Sequence, residues 1–309
     1  MANNVLDNSN ISKHLGQTSQ YKSTYDPELL VKEPRENNRQ YLNIFNDSLP
    51  FVGSDTWNAY ECSFLLDNGL PVTGVLKINY PCNSEYIVES KSIKLYLNSF
   101  NMQKMGSDKL DAIKKFEETV SNDLTFLLGG QASVFFHLGH QVDSSNIGAR
   151  REWDIGEYEN VDLQDINELK ITQYTEDPTL IEGMFDEGVE VEQKFYSGLL
   201  KSNCRVTSQP DWGDVFIHLK SNVVIDPQSI LKYVISFRDE CHFHEEICEC
   251  IYKRLHDMCN PSELFVMCLY ARRGGIDINP VRATSNELIE KLAPGLVDTS
   301  VAHIKTSKQ

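Results

Sequence analysis

A cysteine seven residues ahead of an aspartate, with a Gln-Pro turn between them, is where chemistry first suggests itself: Lys201-Ser-Asn-Cys-Arg-Val-Thr-Ser-Gln-Pro-Asp211-Trp-Gly213. A thiolate at Cys204, favoured by the adjacent Arg205, would be a nucleophile, and Asp211 returning over the turn could give or take a proton. The same spacing also describes a small buried cysteine in a strand. The densest group of metal-ligating types is Cys241-His-Phe-His-Glu-Glu-Ile-Cys-Glu-Cys250, in which His244 and Cys248 stand at i, i+4 on a helix. Zinc is geometrically possible there, but no C-x-x-C pair is present, and Cys248 and Cys250 serve equally as helix packing. Two further segments suit anions. Val88-Glu89-Ser-Lys-Ser-Ile-Lys-Leu-Tyr96 sets Lys91 and Lys94 at a helix start, where free N–H groups attract negative charge. Arg272-Arg273-Gly-Gly-Ile-Asp-Ile-Asn-Pro-Val-Arg282 offers a paired-arginine phosphate contact or a glycine turn flanked by surface arginines. There is no G-x-G and no G-x-x-x-x-G-K-[ST], so a dinucleotide would need another kind of site.

Positioning these side chains requires strands that end at them and helices that begin at them. Between Trp57 and Tyr80 the runs NAYECSFLL and VTGVLKINY, joined by Asp67-Asn-Gly-Leu-Pro71, read as a β-hairpin. Ile93, Tyr96, Leu97 and Phe100 then share one helix face. A second helix starts near Ser107 and stops at Gly129-Gly130, before the strand-like run SVFFHLGHQV. The second half repeats the order. Strands run from Phe195 through Cys204 and Val206, and along DVFIHL, ending near Ser221-Asn222. Asp226-Pro227 opens a helix with Ile230, Tyr233, Val234 and Phe237 on one face. Tyr233-Val-Ile-Ser-Phe237 echoes Tyr96-Leu-Asn-Ser-Phe100, which marks an internal duplication. A helix from His244 to Met258, Asn260-Pro261 and the strand LFVMCLYARR complete the pattern, ββααβ in each half with room for one more strand.

The domain reading is an arm at 1–40, a first half at 41–150, an acidic connector at 151–192 and a second half at 193–309. The arm is polar and reads as mobile or surface-lying, with no chemistry of its own. Residues 152–193 hold fourteen Asp or Glu and one Lys, a solvated connector. Across 309 residues, 29 Lys and Arg face 45 Asp and Glu, a net charge of −16. That sign argues against coating nucleic acid or an anionic membrane and leaves small molecules or proteins as partners. The longest apolar run, Leu264 to Ala271, is too short to span a bilayer. The N-terminus lacks the features of a secretory signal, so the expected location is cytoplasmic, with the eight cysteines as thiols.

Taken together, Glu89-Ser-Lys-Ser-Ile-Lys-Leu-Tyr-Leu-Asn-Ser-Phe-Asn101, Lys201 to Gly213, Phe243-His-Glu245 and Arg272-Arg-Gly-Gly-Ile-Asp-Ile-Asn-Pro280 resemble the long form of the NADPH-dependent 7-cyano-7-deazaguanine reductases, the nitrile reductases of queuosine biosynthesis. The resemblance covers about residues 40–142 and 190–285. It implies an α+β fold of tandem tunnel-fold domains, each an antiparallel sheet with a helix pair (ββααββ), assembling into a barrel, most simply in a homodimer. It implies a Cys204 thioimide with Asp211 as proton donor, and substrate binding by Val88, Glu89, Ser90, His244 and Glu245. NADPH, two consumed per turnover, falls to Ser90, Lys91, Arg273 and Gly274, with no metal, nucleic acid or membrane involved. Cys248 and Cys250 become packing residues. The alternative within the same fold is a zinc-dependent pterin or GTP cyclohydrolase-like enzyme. Arg205 departs from the apolar residue expected beside the nucleophile, and Cys241-His242 carries no assigned role.

Overall fold

The computed structural model describes residues 22–138, 155–164, 169–186, 188–302 and 305–309. β1 (Lys32–Pro34) and the short α1 (Glu36–Arg39) precede a long hairpin of β2 (Val52–Leu65) and β3 (Pro71–Pro81). There follow β4 (Tyr86–Val88), α2 (Ser90–Ser99), α3 (Lys109–Leu128) and β5 (Ser133–Leu138). After β6 (Glu159–Asn160) and β7 (Gly183–Phe185) the order returns, with hairpin β8 (Val191–Cys204) and β9 (Pro210–Ser221), then β10 (Val223–Ile225), α4 (Pro227–Ser236) and β11 (Cys241–His242). α5 (His244–Cys259), β12 (Glu263–Tyr270), β13 (Ile276–Ala283) and α6 (Asn286–Leu292) follow. The second half thus has its extra strand, β13. Among the described residues the first half shows no matching strand after β5, and the end of the SVFFHLGHQV run lies outside them.

One mixed sheet crosses both halves in the order β11, β8, β9, β12, β13, β2, β3, β5, with β6 also beside β8. The seam is antiparallel pairing of β13 with β2, from Ile276 opposite Ala59 to Ala283 opposite Val52. Among the described residues the sheet is open and does not close on itself. Alternation along β12 feeds two cores. Leu264, Val266, Cys268 and Tyr270 pack with α4 and α5, whereas Phe265, Met267 and Leu269 pack beneath α6.

The duplication is physical as well as textual. Tyr96 and Phe100 meet edge to face at 5.3 Å, and Tyr233 and Phe237 do the same at 5.3 Å. Ser99 Oγ donates to Tyr96 O, as Ser236 Oγ donates to Tyr233 O. The second helix of the first half is capped by Asp108, whose carboxylate accepts from Leu110 and Asp111 N–H, and not by Ser107. Gly129, at φ 65°, ends it in the left-handed conformation that glycine adopts without cost.

Three readings of the sequence change. The described part of the arm is docked: Arg35 and Arg39 are buried, and they meet Asp55 of β2, Glu249 of α5 and Arg282 of β13 at the seam. Arg35 reaches Asp55 at 2.5 Å, and Arg282 reaches Asp55 and Glu249 at 2.8 Å each. Arg282 is therefore a fully buried joint residue and not a surface flank. These charges come inside because each has partners, since an unpaired buried charge is prohibitively costly. The acidic connector, too, is tied down where it is described. Val161 and Ile181 join the core, and Glu176 accepts from Tyr233 Oη at 3.0 Å and Arg254 Nε at 3.0 Å.

Candidate active site

Four loops bring their residues to one cavity of about 170 Å³. The first is the start of α2. Glu89 is its N-cap, accepting from Lys91 N–H at 3.0 Å and Ser92 N–H at 2.7 Å, which satisfies donors that the first turn leaves unpaired. β1 pins this stretch by pairing with Tyr86–Val88, and Glu89 N–H donates to Val31 O at 2.9 Å. The docked arm thus holds Val88 and Glu89 in place.

The second loop is the turn between β8 and β9. Cys204 N–H donates to Gln209 O at 2.8 Å, and Ser208 N–H returns to Cys204 O at 2.9 Å. Ser202 lies opposite Asp211 in the ladder, so Cys204, two residues on, is the diagonal same-face neighbour of Asp211. The third is the start of α5, brought alongside by parallel pairing of β11 with Asn203 and Cys204. It presents His244. The fourth is the turn after β12, where Arg273 N–H donates to Ile276 O at 2.9 Å and Gly274 and Gly275 take φ of 61° and 80°. A Cβ on Gly274 would stand 3.1 Å from Lys94 Nζ.

Of the residues singled out in the sequence, Glu89, Ser90, Lys91, Cys204, His244, Arg273 and Gly274 line this cavity. Val88, Asp211 and Glu245 do not. Val88 is buried behind Glu89. Asp211 stands behind the wall, its Oδ1 2.7 Å from Arg273 Nη1 and 3.7 Å from His244 Nε2. Glu245 turns to the seam, where Tyr80 Oη donates to it at 3.2 Å. Successive helical residues project about 100° apart, so His244 and Glu245 cannot both face the same wall squarely.

Burial governs the electrostatics. It pushes the Asp211 carboxyl up to about 6 even though Arg273 and Lys201 pull it down. Burial, reinforced by the Arg273 charge, pushes His244 down to about 3. His244 is therefore a neutral imidazole near neutrality, and its approach to Asp211 is a dipolar contact and not an ion pair. Its ring meets Tyr270 edge-on at 4.1 Å. Burial and the neighbouring Asp55 push Glu245 up, against Arg35 and Arg282. The cavity wall carries Lys91, Lys94 and Arg273, a cationic side facing the Cys204 turn.

Cys248, weighed as a zinc ligand with His244, donates its Sγ–H within the core toward Val266 O at 3.5 Å. Among the described residues no group of three or more His, Cys, Asp or Glu is arranged to hold a metal ion. Thr207 and Gln209 of the Cys204 turn also line the cavity and were not singled out. Their signal was their place in the same short turn as Cys204, although Arg205 of that turn lies outside the wall.

Among the described residues no helix is long and apolar enough to cross a membrane. Residues 21–136 match the family model described as nitrile reductase, 7-cyano-7-deazaguanine-reductase N-term, and residues 210–288 match that of a QueF-like protein. The NADPH-dependent 7-cyano-7-deazaguanine reductase of Colwellia psychrerythraea is 42% identical over 276 residues, covering 88% of this chain and 92% of its own. Proteins of the same description from Dechloromonas aromatica and Aromatoleum aromaticum are 39% and 38% identical, each covering 88% of this chain and 90% of its own. A solved chain, an archaeosine synthase QueF-Like in the apo form, is 19% identical, covers 32% of this chain and 95% of that one, and has a TM-score of 0.28, too low a likeness to carry an argument.

Proposed function

The chain belongs to the NADPH-dependent 7-cyano-7-deazaguanine reductase family, and from that premise we propose how its own residues perform the reaction. The enzyme reduces the nitrile of 7-cyano-7-deazaguanine to the aminomethyl group, a step of queuosine biosynthesis, with NADPH as reductant. Cys204 Sγ adds to the nitrile carbon. Asp211 takes the thiol proton and returns it to the nitrile nitrogen, giving a thioimide with a C=N bond. A carboxyl held near 6 suits both halves of that transfer. The thioimide carbon then accepts hydride, and departure of the Cys204 thiolate leaves an imine. A second hydride completes the amine, so two hydrides and two protons are taken up in all.

The cationic side of the cavity suits the phosphate groups of a dinucleotide, because Lys91, Lys94 and Arg273 line it and bare backbone at Gly274 leaves the approach open. When bound, NADPH supplies the hydride. Ser90, Lys91, Arg273 and Gly274 would hold it. Glu89 and His244 line the cavity for the heterocycle, whose adjacent N–H and NH2 donors one carboxylate can accept. Val88 and Ser90 frame Glu89, and Glu245, whose carboxyl faces the seam in this structure, would have to turn toward the cavity to join the recognition set from the α5 side.

The observation that carries this reading is the convergence of Cys204, Glu89, His244 and Arg273, drawn from both halves, on one cavity. The test is NADPH oxidation dependent on 7-cyano-7-deazaguanine, together with intact mass. A covalent adduct of the substrate's mass on Cys204 is expected. Full turnover in Cys204→Ala would overturn the covalent route. Among the described residues the sheet ends at β5 on one side and at the short β6 and β11 beside β8 on the other; such edges suit pairing with a second copy, so we further propose a homodimer in which the sheets complete a barrel, testable by light scattering.

A further inference from the structure

We propose that Arg205 and Glu246 form a clamp that sets the Cys204 turn against the start of α5, which makes Arg205 a positioning residue for the nucleophile. The proposal rests on the reading of Cys204 as that nucleophile. Little backbone holds the two loops together. β11 pairs with β8 at only two positions, Cys241 to Asn203 and His242 to Cys204, and Asn203 N–H adds one bond to Glu240 O at 2.8 Å. Pairing so short at the margin of a sheet opens readily unless side chains fasten it.

Arg205, the residue after Cys204, fastens it. Its Nη2 lies 2.8 Å from the Glu246 carboxylate, and its guanidinium sits over the Phe243 ring at 5.4 Å. Glu246 is itself fixed to the helix start, accepting Phe243 N–H at 3.0 Å. One side chain therefore spans from the neighbour of Cys204 to the turn that presents His244.

Carboxylates outnumber cations around the clamp. His242 places Nδ1 3.3 Å from Glu246 and Nε2 3.1 Å from Glu240, and Glu33 of β1 faces the same group. Burial alone would lower His242, but Glu240 and Glu246 outweigh it and hold the imidazole at about 9. As an imidazolium it donates to Glu246, so the 3.4 Å approach of Arg205 to Nδ1 is a contact of two cations that Glu246 neutralises. Arg205, His242 and Glu246 all lie outside the cavity wall. Their effect on the reaction is geometric.

Steady-state kinetics with a double-mutant cycle test the clamp. Arg205→Ala should cut kcat about tenfold or more, as small misplacements of reacting groups do, with KM for NADPH unchanged within about twofold. Arg205→Lys should restore part of the rate, because it keeps the charge but loses the planar contact with Phe243. Glu246→Gln retains the helix cap and removes the charge. It should give the same loss, and the double variant should lose no more than either single one. A parental kcat in Arg205→Ala, or additive losses in the double variant, would overturn the clamp. If Arg205→Ala does not fold, Glu246→Gln decides alone: a lowered kcat at unchanged KM for NADPH supports the clamp and a parental kcat overturns it. Cys204→Ala run alongside separates the two readings. Turnover in that variant faults the nucleophile, whereas its inactivity beside a fully active Arg205→Ala faults only the clamp.

Discussion

Set side by side, the two halves share a scaffold down to single hydrogen bonds, yet they give the cavity different loops. Each begins with a short helical turn capped by an aspartate ahead of a proline, Asp26 before Pro27 and Asp177 before Pro178. Each then lays a three-residue strand against the one that leads into its first helix, β1 on β4 and β7 on β10. Glu89 and Asp226 cap those helices, and Ser92 and Ser229 donate back to the carbonyls of Glu89 and Asp226 at 2.7 and 2.6 Å. Only the first of these helix starts reaches the cavity. Conversely, the hairpin turn after β8 carries Cys204, whereas the turn after β2 carries Asp67-Asn-Gly and lies elsewhere. Duplication supplied rigid elements, and chemistry was distributed among their loops.

The division is most severely tested by removing the nucleophile. Cys204→Ala should lower kcat by about 10³-fold or more while thermal stability stays near the parental value, measured by turnover and by melting. Next in size is the seam. Arg282→Met strips one arginine from Asp55 and from Glu249, each of which keeps another, and should cost about 3 kcal/mol in urea unfolding, the low end for breaking a buried pair. A loss under about 1 kcal/mol would mean that the halves do not depend on that joint. The two helix-start acids should part company. Glu89→Ala should reduce kcat/KM for 7-cyano-7-deazaguanine by about 10- to 100-fold, the worth of a charged hydrogen bond. Asp226→Ala should cost only about 1 kcal/mol of stability, with kcat unchanged. Equal kinetic losses would erase the functional distinction between the halves.

The smallest effect is the pH response of Asp211. As the base for Cys204 it must be ionised, so kcat/KM should fall as pH drops through about 6. Its folded value lies above the unfolded 3.8, so its carboxylate form opposes folding. Stability from this residue is fully present below 3.8 and is lost as pH rises through about 6. Asp211→Asn should remove both limbs, which pH–rate profiles and pH-dependent melting would show.

Much of this was legible in the sequence because it rests on local rules. The paired Tyr and Phe at i, i+4, the Asp226-Pro227 start, the Gly129 stop and the Cys–Asp turn each follow from spacing within one element. What escaped depends on contacts between distant parts of the chain. Nothing near Arg35 or Arg39 says that Glu249 and Arg282 will neutralise them, so a polar arm looked like a surface feature. That His244 and Glu245 face different sides, the cavity and the seam, was not legible either, because it depends on how α5 packs. Asp26-Pro27 and Asp177-Pro178 do echo each other, but two letters are too few to separate a repeat from chance.

The seam has a consequence for how the protein is made. On its β13 side Val52 is paired with Ala283, so that edge of β2 must wait after leaving the ribosome until residues up to 283 have been synthesised. During that interval one of its long edges is unpaired, a template for association with neighbouring nascent chains. Such distant pairing is also slow to form, because the intervening chain must be ordered before the contact stabilises anything. Slower delivery of β13 by the ribosome should therefore lengthen the time in which β2 is open to wrong partners.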